Sequence, residues 1–140
     1  MILSNLEPGL SKAIQKKITE ADTAMNFGSG AIKDLLATPA LAALMIEAAV
    51  QLVDPLLPDN YFTIGKVLNI NHLQPTTKGM EVTVSATIKE IKNNKISLEI
   101  KAYDELGEVG IGHHERYVVK SDLLDENVNK RTKILERQPW

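Results

Sequence analysis

The sequence predicts an α+β domain in which an antiparallel sheet covers one apolar helix. An apolar segment follows Thr38-Pro39, and from about position 80 apolar and polar side chains alternate in successive segments. The first pattern is typical of a buried helix, and the second is typical of strands that bury one face. One helix followed by consecutive strands with short turns predicts an antiparallel meander.

The helix has a clear beginning and end in the sequence. Thr38 has a hydroxyl suited to N-capping, and Pro39 fits the first helical position, where its missing N–H costs no hydrogen bond. Residues 40–53 are apolar on nearly every side, and Glu47 is one of only two polar residues among them. Such a helix needs cover all around. Pro55 then ends it, because proline cannot continue the helical hydrogen bonding.

The strands follow the helix in chain order. A less regular first strand is expected from Tyr61 to Leu73, and three alternating segments follow it at 80–89, 96–102 and 109–120. Turns are expected at Lys92–Lys95 and Asp104–Gly107, which are rich in the asparagine, aspartate and glycine that turns favour. The segments on either side of each turn should therefore pair antiparallel.

Three other segments are less regular. Residues 10–23 have apolar side chains every four positions, yet their charged residues also fit an edge strand, so both readings stay open. Residues 26–30 predict a loop, because clustered glycines permit positive φ. We find no repeat or linker, and we expect a single domain at 1–122 followed by a charged C-terminal tail or surface helix at 123–140.

Composition excludes several classes of function. The chain has 140 residues with a formal charge of −2, so it lacks the positive field that would hold nucleic acid or an anionic membrane surface. The absence of cysteine excludes a disulfide, a thiolate nucleophile and a sulfur-based zinc site. Residues 1–8 contain neither a basic stretch nor a long apolar one, so we expect a cytoplasmic protein without a membrane anchor.

The histidines at positions 113 and 114 do not predict a metal site. Adjacent residues of a regular strand point to opposite faces of the sheet, so His113 and His114 cannot chelate one ion. No Gly-x-Ser-x-Gly segment occurs either, which argues against α/β-hydrolase chemistry. We therefore expect neither a metal nor a cofactor.

A curved antiparallel sheet wrapped around one long central helix is the layout of the hotdog fold. The sequence also resembles the fluoroacetyl-CoA thioesterase-like branch of the hotdog thioesterases, from about Ile32 to Lys120. The motifs that carry the resemblance occur in the family's order: ATPALAALM at 37–45, TIG at 63–65, His72, and GIGHHER at 110–116. The resemblance implies an acyl-CoA substrate, hydrolysis of its thioester, and a homodimer with pockets between subunits, with a tetramer as the alternative assembly.

The resemblance further implies a site made of a threonine at the start of the helix, a glutamate further along it and a histidine on a neighbouring strand. Thr38 and His72 match these positions. The family's glutamate position is occupied by Ile46, and Glu47 follows one residue later, about 100° further around a helix. Either a local bulge brings Glu47 into the site or the residue faces elsewhere.

Each residue also has a chemical reason to take part. A helix N-terminus stabilises the negative charge that forms on a thioester carbonyl, and Thr38 there is expected to act as a hydrogen-bond donor or, with less support, as the nucleophile. His72 suits a general base. Glu47, as a carboxylate on an apolar helix, must be paired, protonated or directed into a cavity, either as a base or as a structural anchor. Structural roles remain open for Thr38 as an N-cap and for His72 as an ordinary strand-end residue.

Two residues are expected to contact the substrate. The resemblance suggests that Gly65 lets the substrate approach the backbone closely, although a glycine kink in a curved sheet has the same sequence signature. Arg116 is expected to contact a coenzyme A phosphate or to form an exposed or interface salt bridge. The alternative function is a non-catalytic acyl-CoA-binding or regulatory hotdog protein, and hydration of an enoyl-CoA ranks below both.

Overall fold

A computed structural model of the protein describes residues 3–28 and 30–136. Its elements are a central helix α1 (Thr38–Val53), strands β1 (Ser11–Lys17), β2 (Tyr61–His72), β3 (Glu81–Lys92), β4 (Lys95–Asp104) and β5 (Gly107–Lys120), and a C-terminal helix α2 (Ser121–Glu136). Short 3-10 turns occupy Glu20–Asp22, Ala24–Asn26 and Asp54–Leu56. The strands form one sheet in the order β1-β3-β4-β5-β2, and all neighbours are antiparallel. The predicted α+β class is therefore confirmed.

The ambiguous N-terminal segment is an edge strand, not a helix. β1 pairs with β3 from Ser11 opposite Thr87 to Lys17 opposite Glu81. Most of its side chains are exposed, as suits the charged residues that alternate along it. At the opposite edge of the sheet, β2 has β5 on one side only. Among residues 3–28 and 30–136, no strand pairs with its other side, so this 12-residue strand has a free edge for strand pairing.

The predicted meander is confirmed for β3, β4 and β5, whereas β2 pairs with β5 and not with β3, the next strand along the chain. Lys92 pairs with Lys95, so the β3–β4 hairpin closes through two residues, of which Asn93 has φ of 57°. Asparagine tolerates this left-handed conformation better than most residues do. β5 begins at Gly107, whose φ of 134° turns the chain out of β4.

The core lies between α1 and one face of the sheet. Leu41, Met45 and Val53 of α1 are fully buried. Gly110 and Gly112 of β5 let the helix approach the sheet, because an added Cβ would lie 2.9 Å from Leu41 Cδ2 or 2.8 Å from Met45 Sδ, respectively. Both glycines thus serve the close packing of α1 on the sheet.

One face of α1 is not covered, and here the expectation of cover on all sides is wrong for the single chain. The exposed or half-buried residues recur at helical spacing: Ala43, Ile46, Glu47, Val50 and Gln51. Ile46 remains 39% exposed. By length and hydropathy, residues 38–56 would suit a membrane span. In the fold, however, the opposite face of α1 is packed on the sheet, so this segment serves as the helix of a globular core.

The C-terminal segment forms a surface helix. α2 starts at Ser121, directly after β5, and none of its residues is buried. The structure thus has a helix where the sequence left a helix or a loose tail open. Residues 137–140 of the predicted C-terminal segment lie outside the described residues.

Candidate active site

Thr38 contacts His72 and does not cap the helix. The N-cap residue is Ala37, with φ of −75° and ψ of 144°, while Thr38 is the first helical residue and Pro39 the second. Within the described part of the chain, the N-terminus of this helix has no side-chain cap hydrogen bond. The Thr38 hydroxyl oxygen instead lies 2.8 Å from Nδ1 of His72. The predicted N-cap role of Thr38 is wrong, and its hydroxyl is available for chemistry.

The sheet positions His72 at the N-terminal end of α1. His72 is the last residue of β2 and pairs with Gly110 of β5. The following residue, Leu73, donates its backbone N–H to the carbonyl of Val109 at 2.8 Å, which holds the chain direction after the strand. The second ring nitrogen of His72, Nε2, is buried and has no hydrogen-bond partner among residues 3–28 and 30–136. Only Nδ1 is therefore engaged, and it faces Thr38.

Burial lowers the pKa of His72 below its ordinary value of 6.5, and the backbone of Gln74 acts in the opposite direction. The imidazole is therefore neutral near pH 7. When the proton is on Nε2, Nδ1 accepts a hydrogen bond from the Thr38 hydroxyl, which is the arrangement that lets histidine remove that proton.

An open cleft of about 500 Å³ lies at this pair. Its walls are mostly apolar and come from the loop before α1, the start of α1 and the end of β2: Ala24, Phe27, Gly28, Ile32, Leu35, Leu36, Ala37, Thr38, Pro39, His72, Leu73, Gln74 and Pro75. No carboxylate is among these residues. Phe27 and Ile32 are 41% and 54% exposed, so the apolar surface extends to the mouth of the cleft.

The first turn of α1 supplies polar backbone groups to the cleft. The first intrahelical hydrogen bond is donated by the N–H of Leu41 to the carbonyl of Ala37, at 3.0 Å. The amides before Leu41 have no partner within the helix, and Pro39 has no N–H. The partial positive charge of this end favours a developing oxyanion beside Thr38.

Glu47 is not part of the Thr38–His72 cleft. It lies on the uncovered face of α1, is exposed, and accepts a hydrogen bond of 3.1 Å from Nε2 of Gln51. The expectation of a buried carboxylate is wrong for the single chain, because the open sheet leaves this side of the helix in solvent. Ile46, at the family's glutamate position, instead lines a second pocket of about 370 Å³.

The second pocket is open because Gly65 has no side chain. Gly65 lies at a β-bulge in β2, where the register with β5 shifts before Val67. A Cβ added at Gly65 would lie 3.0 Å from Arg116 Nη1 and 3.2 Å from His114 Cε1. Gly65 thus marks an irregularity of the curved sheet and also leaves the Arg116 guanidinium accessible from the pocket. Its role in substrate binding stays a prediction.

Arg116 is buried, so the predicted exposed salt bridge is wrong, whereas the predicted interface salt bridge stays a prediction. It is 6% exposed, and the backbone and side chain of Thr63 orient it: Nε donates to Thr63 Oγ1 at 2.7 Å and Nη2 donates to the Thr63 carbonyl at 2.8 Å. Thr63 Oγ1 in turn donates to Asp54 Oδ1 at 2.6 Å. This inward orientation does not support the predicted contact with a coenzyme A phosphate.

His114 completes this buried network, which sequence reasoning missed. Burial is the main cause that lowers its pKa, and the neighbouring Arg116 adds to the effect. The neutral ring donates from Nδ1 to the carbonyl of Val67 at 2.7 Å and accepts from Arg116 Nη1 at Nε2, at 3.2 Å. His113 is exposed and contacts Glu115, so the adjacent histidines face opposite sides as predicted. Alternation along β5 could have identified His114 and Arg116 as an inward pair.

The profile of one protein family matches residues 18–122: FlK, fluoroacetyl-CoA-specific thioesterase. The chain belongs to this family. Among its relatives, the fluoroacetyl-CoA thioesterase of Streptantibioticus cattleyicolor is 28% identical over 99 residues, which are 71% of each chain. Membership confirms the resemblance and the class of thioester hydrolase, and nothing in these comparisons supports the non-catalytic alternative.

Solved structures confirm the hotdog fold. A hot-dog-like protein from Thermanaerovibrio acidaminovorans is 30% identical, with a TM-score of 0.87 over 93% of this chain and 96% of that one. A thioesterase superfamily member from Thermus thermophilus is 22% identical, with a TM-score of 0.90 over 96% and 99% of the two chains. A variant of FlK in complex with acetyl-CoA is also 22% identical, with a TM-score of 0.83 over 91% and 99%.

Proposed function

We propose that this acyl-CoA thioesterase cleaves its substrate at the Thr38–His72 pair. The observation that carries the proposal is the 2.8 Å contact between the Thr38 hydroxyl and Nδ1 of a neutral histidine at the N-terminus of α1. It combines a potential nucleophile, a base within hydrogen-bond distance and backbone donors for an oxyanion. The cleft also gives a substrate access to the hydroxyl.

The reaction follows from these positions. Nδ1 of His72 takes the hydroxyl proton as Thr38 Oγ1 attacks the thioester carbonyl, and the first turn of α1 stabilises the resulting oxyanion. The carbon–sulfur bond then breaks, and the departing thiolate receives the proton from His72. Water hydrolyses the threonine ester with His72 as base, which releases the carboxylic acid and restores the hydroxyl.

Thr38 is favoured as nucleophile over the role of a mere donor. Nε2 of His72 is buried, so Nδ1 is the ring nitrogen that could act as a base. Nδ1 already contacts the Thr38 hydroxyl and is therefore not free to activate water. No carboxylate in the cleft offers an alternative base among the residues that line it. The shortest proton transfer is therefore from Thr38 to His72.

The cleft favours an uncharged, apolar acyl group. Phe27, Ile32 and Leu73 border it, and neither a lysine nor an arginine is among its described lining residues to pair with an acyl carboxylate. A charged acyl group would lose solvation there without a partner. An alkanoyl-CoA is thus expected to react faster than a dicarboxylic acyl-CoA such as malonyl-CoA. A fluorinated substrate is named only for relatives.

The active protein is expected to be a homodimer. The free edge of β2 and the open face of α1 lie side by side, and they meet where Ile46 faces Gly65 and Val67. Natural proteins usually cover surfaces of both kinds. A second copy related by a twofold axis offers the same strand edge and the same helix face in return. Such a contact also encloses the pocket around Ile46.

Hydrolysis assays test the assignment. Release of free thiol is measured with acyl-CoAs of increasing chain length and with malonyl-CoA, for the wild type, Thr38→Val and the control Thr83→Val on β3. We expect Thr38→Val to lose at least about 100-fold in kcat/KM and Thr83→Val to retain it. Intact-mass measurement during turnover should find the acyl group on the wild type and none on Thr38→Val. Unchanged activity in Thr38→Val would refute the site, and activity loss without any acyl-enzyme would favour water as nucleophile.

Sedimentation tests the dimer separately. Ile46→Asp puts a charge on the open face of α1, whereas Leu106→Asp puts the same charge at the β4–β5 turn, where Leu106 is 87% exposed. We expect the wild type and Leu106→Asp to sediment as dimers and Ile46→Asp as a monomer. A monomeric wild type would contradict the proposed assembly.

A further inference from the structure

α2 carries an apolar face that nothing in the described chain covers. At about 100° per residue, its five apolar side chains fall within an arc of about 140°: Leu123, Leu124, Val128, Ile134 and Leu135. Four of them are more than half exposed, at 58% for Leu123, 51% for Val128, 59% for Ile134 and 55% for Leu135. An open hollow on this helix is lined, among the residues that the structure describes, by α2 side chains alone. An isolated helix of this kind gains stability by packing its apolar face on a partner.

The charges of α2 are divided between its two halves. The first half carries Asp122, Asp125 and Glu126, and the second half carries Lys130, Arg131 and Lys133 before a final Glu136. Within the helix, Lys130 Nζ lies 3.6 Å from Glu126 Oε1, so one of these pairs is already satisfied in the single chain. This order suits the helix dipole within one chain. It also makes the helix complementary to itself, because an antiparallel copy would put each acidic half beside a basic half. A parallel copy would bring like charges together.

The position of α2 suits contact with a second copy. Its first residue, Ser121, donates its backbone N–H to the carbonyl of Asn60 at 2.8 Å, and the preceding Lys120 pairs with Tyr61 at the start of β2. α2 therefore begins at the same margin of the molecule as the unpaired edge strand. A twofold axis near this margin relates two α2 helices as well as two β2 edges.

We propose that α2 packs against α2 of a second copy of this chain in the antiparallel direction. The apolar side chains of the two helices form the centre of the contact, with Arg131 inside the same arc, and the other charged residues of the two halves flank it. Antiparallel order follows from the charge halves, and a second copy follows as the occupant because α2 is complementary to itself. The contact is independent of the catalytic roles of Thr38 and His72.

Charge reversal tests this contact in the full-length chain. An acidic variant carries K130E, R131E and K133E, and a basic variant carries D122K, D125K and E126K. We expect each variant alone to self-associate at least tenfold more weakly than the wild type in sedimentation equilibrium, and an equimolar mixture to recover the lost affinity. A control with the same change in net charge as the acidic variant carries K12E, K17E and K92E, which are exposed residues of β1 and β3, the strands farthest from β2 in the sheet order. It should associate as the wild type does.

The equimolar mixture keeps the test decisive even if α2 is partly unfolded in a charge-reversed variant that is measured by itself. Recovery in the mixture supports the α2 contact, whereas variants that associate like the wild type, or a mixture that stays as weak as its components, would overturn it. Thiol release from an alkanoyl-CoA, measured on the same samples, reports separately on the hydrolase.

Cross-linking gives a second measurement, because the chain has no cysteine of its own. Val128→Cys places a thiol within the apolar arc, and Asn129→Cys places one on the opposite, polar side of α2. A short bis-maleimide should join two copies of Val128→Cys at dilute concentration and leave Asn129→Cys uncoupled. Equal yields from the two variants would argue against the contact.

Discussion

Replacing Gly112 by alanine tests how closely α1 approaches the sheet. The new Cβ would lie 2.8 Å from Sδ of Met45 and 3.6 Å from the carbonyl oxygen of Asn69. Ordinary contacts begin near 3.5 Å, so the sulfur and Cβ must separate by about 0.7 Å. Met45 is fully buried and has no solvent-exposed space to enter. Overpacking of this kind costs about 1 to 3 kcal/mol, and we expect Gly112→Ala to lower the free energy of unfolding by that amount.

The assay is urea denaturation at a fixed protein concentration, with His113→Ala as a control on the exposed side of the same strand. If the clash with the Met45 sulfur causes the loss of stability, Gly112→Ala should lower the free energy of unfolding by at most about half as much in a Met45→Ala background. The effects of two substitutions at contacting residues are not additive. Equal costs in both backgrounds, or a Gly112→Ala protein as stable as His113→Ala, would refute this reasoning.

Four further predictions concern ionisable groups and the buried network around Arg116. Because burial lowers the pKa of His72 below 6.5, its neutral, basic form persists to lower pH than that of free imidazole. We therefore expect kcat/KM at pH 6.5 to stay above half of its plateau value, and a lower value would contradict the assignment of His72 as the base. His114 is shifted in the same direction, so the unfolded chain binds more protons than the folded one just below pH 6.5, and the free energy of unfolding should fall as the pH decreases through that region. Thr63→Val removes the hydroxyl that joins Arg116 to Asp54. Urea denaturation should show a free energy of unfolding lower by about 2 to 4 kcal/mol, a change well above that for an exposed threonine. Glu47→Gln should keep most of the activity in thiol-release assays, unlike the roughly 100-fold or greater loss expected for a catalytic acid or base.

Much of the fold is predictable from the sequence because its signals are local. Alternation of apolar and polar residues defines β3, β4 and β5, and the turn between β3 and β4 is signalled by Asn93, which tolerates the left-handed backbone found there. The segment at 10–23 is different. Its side chains fit both a helix and an edge strand, and only the pairing of β1 with β3 decides between them. Local pattern cannot supply that information.

The site is only partly predictable, since its geometry depends on contacts between distant segments. Family motifs identify Thr38 and His72, whereas the contact between them depends on where β2 ends beside α1. The N-cap signal at Thr38 is misleading by one residue, because Ala37 takes the cap position. Glu47 looks buried from its apolar neighbours, but the sheet covers only the other side of α1. The pattern of apolar and polar residues along one helix does not show which side of that helix the sheet leaves uncovered.

The central claim is that Thr38 and His72 act as one unit, and a double-mutant cycle on kcat/KM tests it most directly. Thr38→Val, His72→Ala and the double variant are compared with the wild type on one alkanoyl-CoA, with folding checked by urea denaturation. When two residues act as one unit, the losses in kcat/KM caused by replacing each of them do not add up. The double variant should therefore lose about as much kcat/KM as the less active single variant. Losses that multiply, or a His72→Ala protein with wild-type activity, would contradict the account.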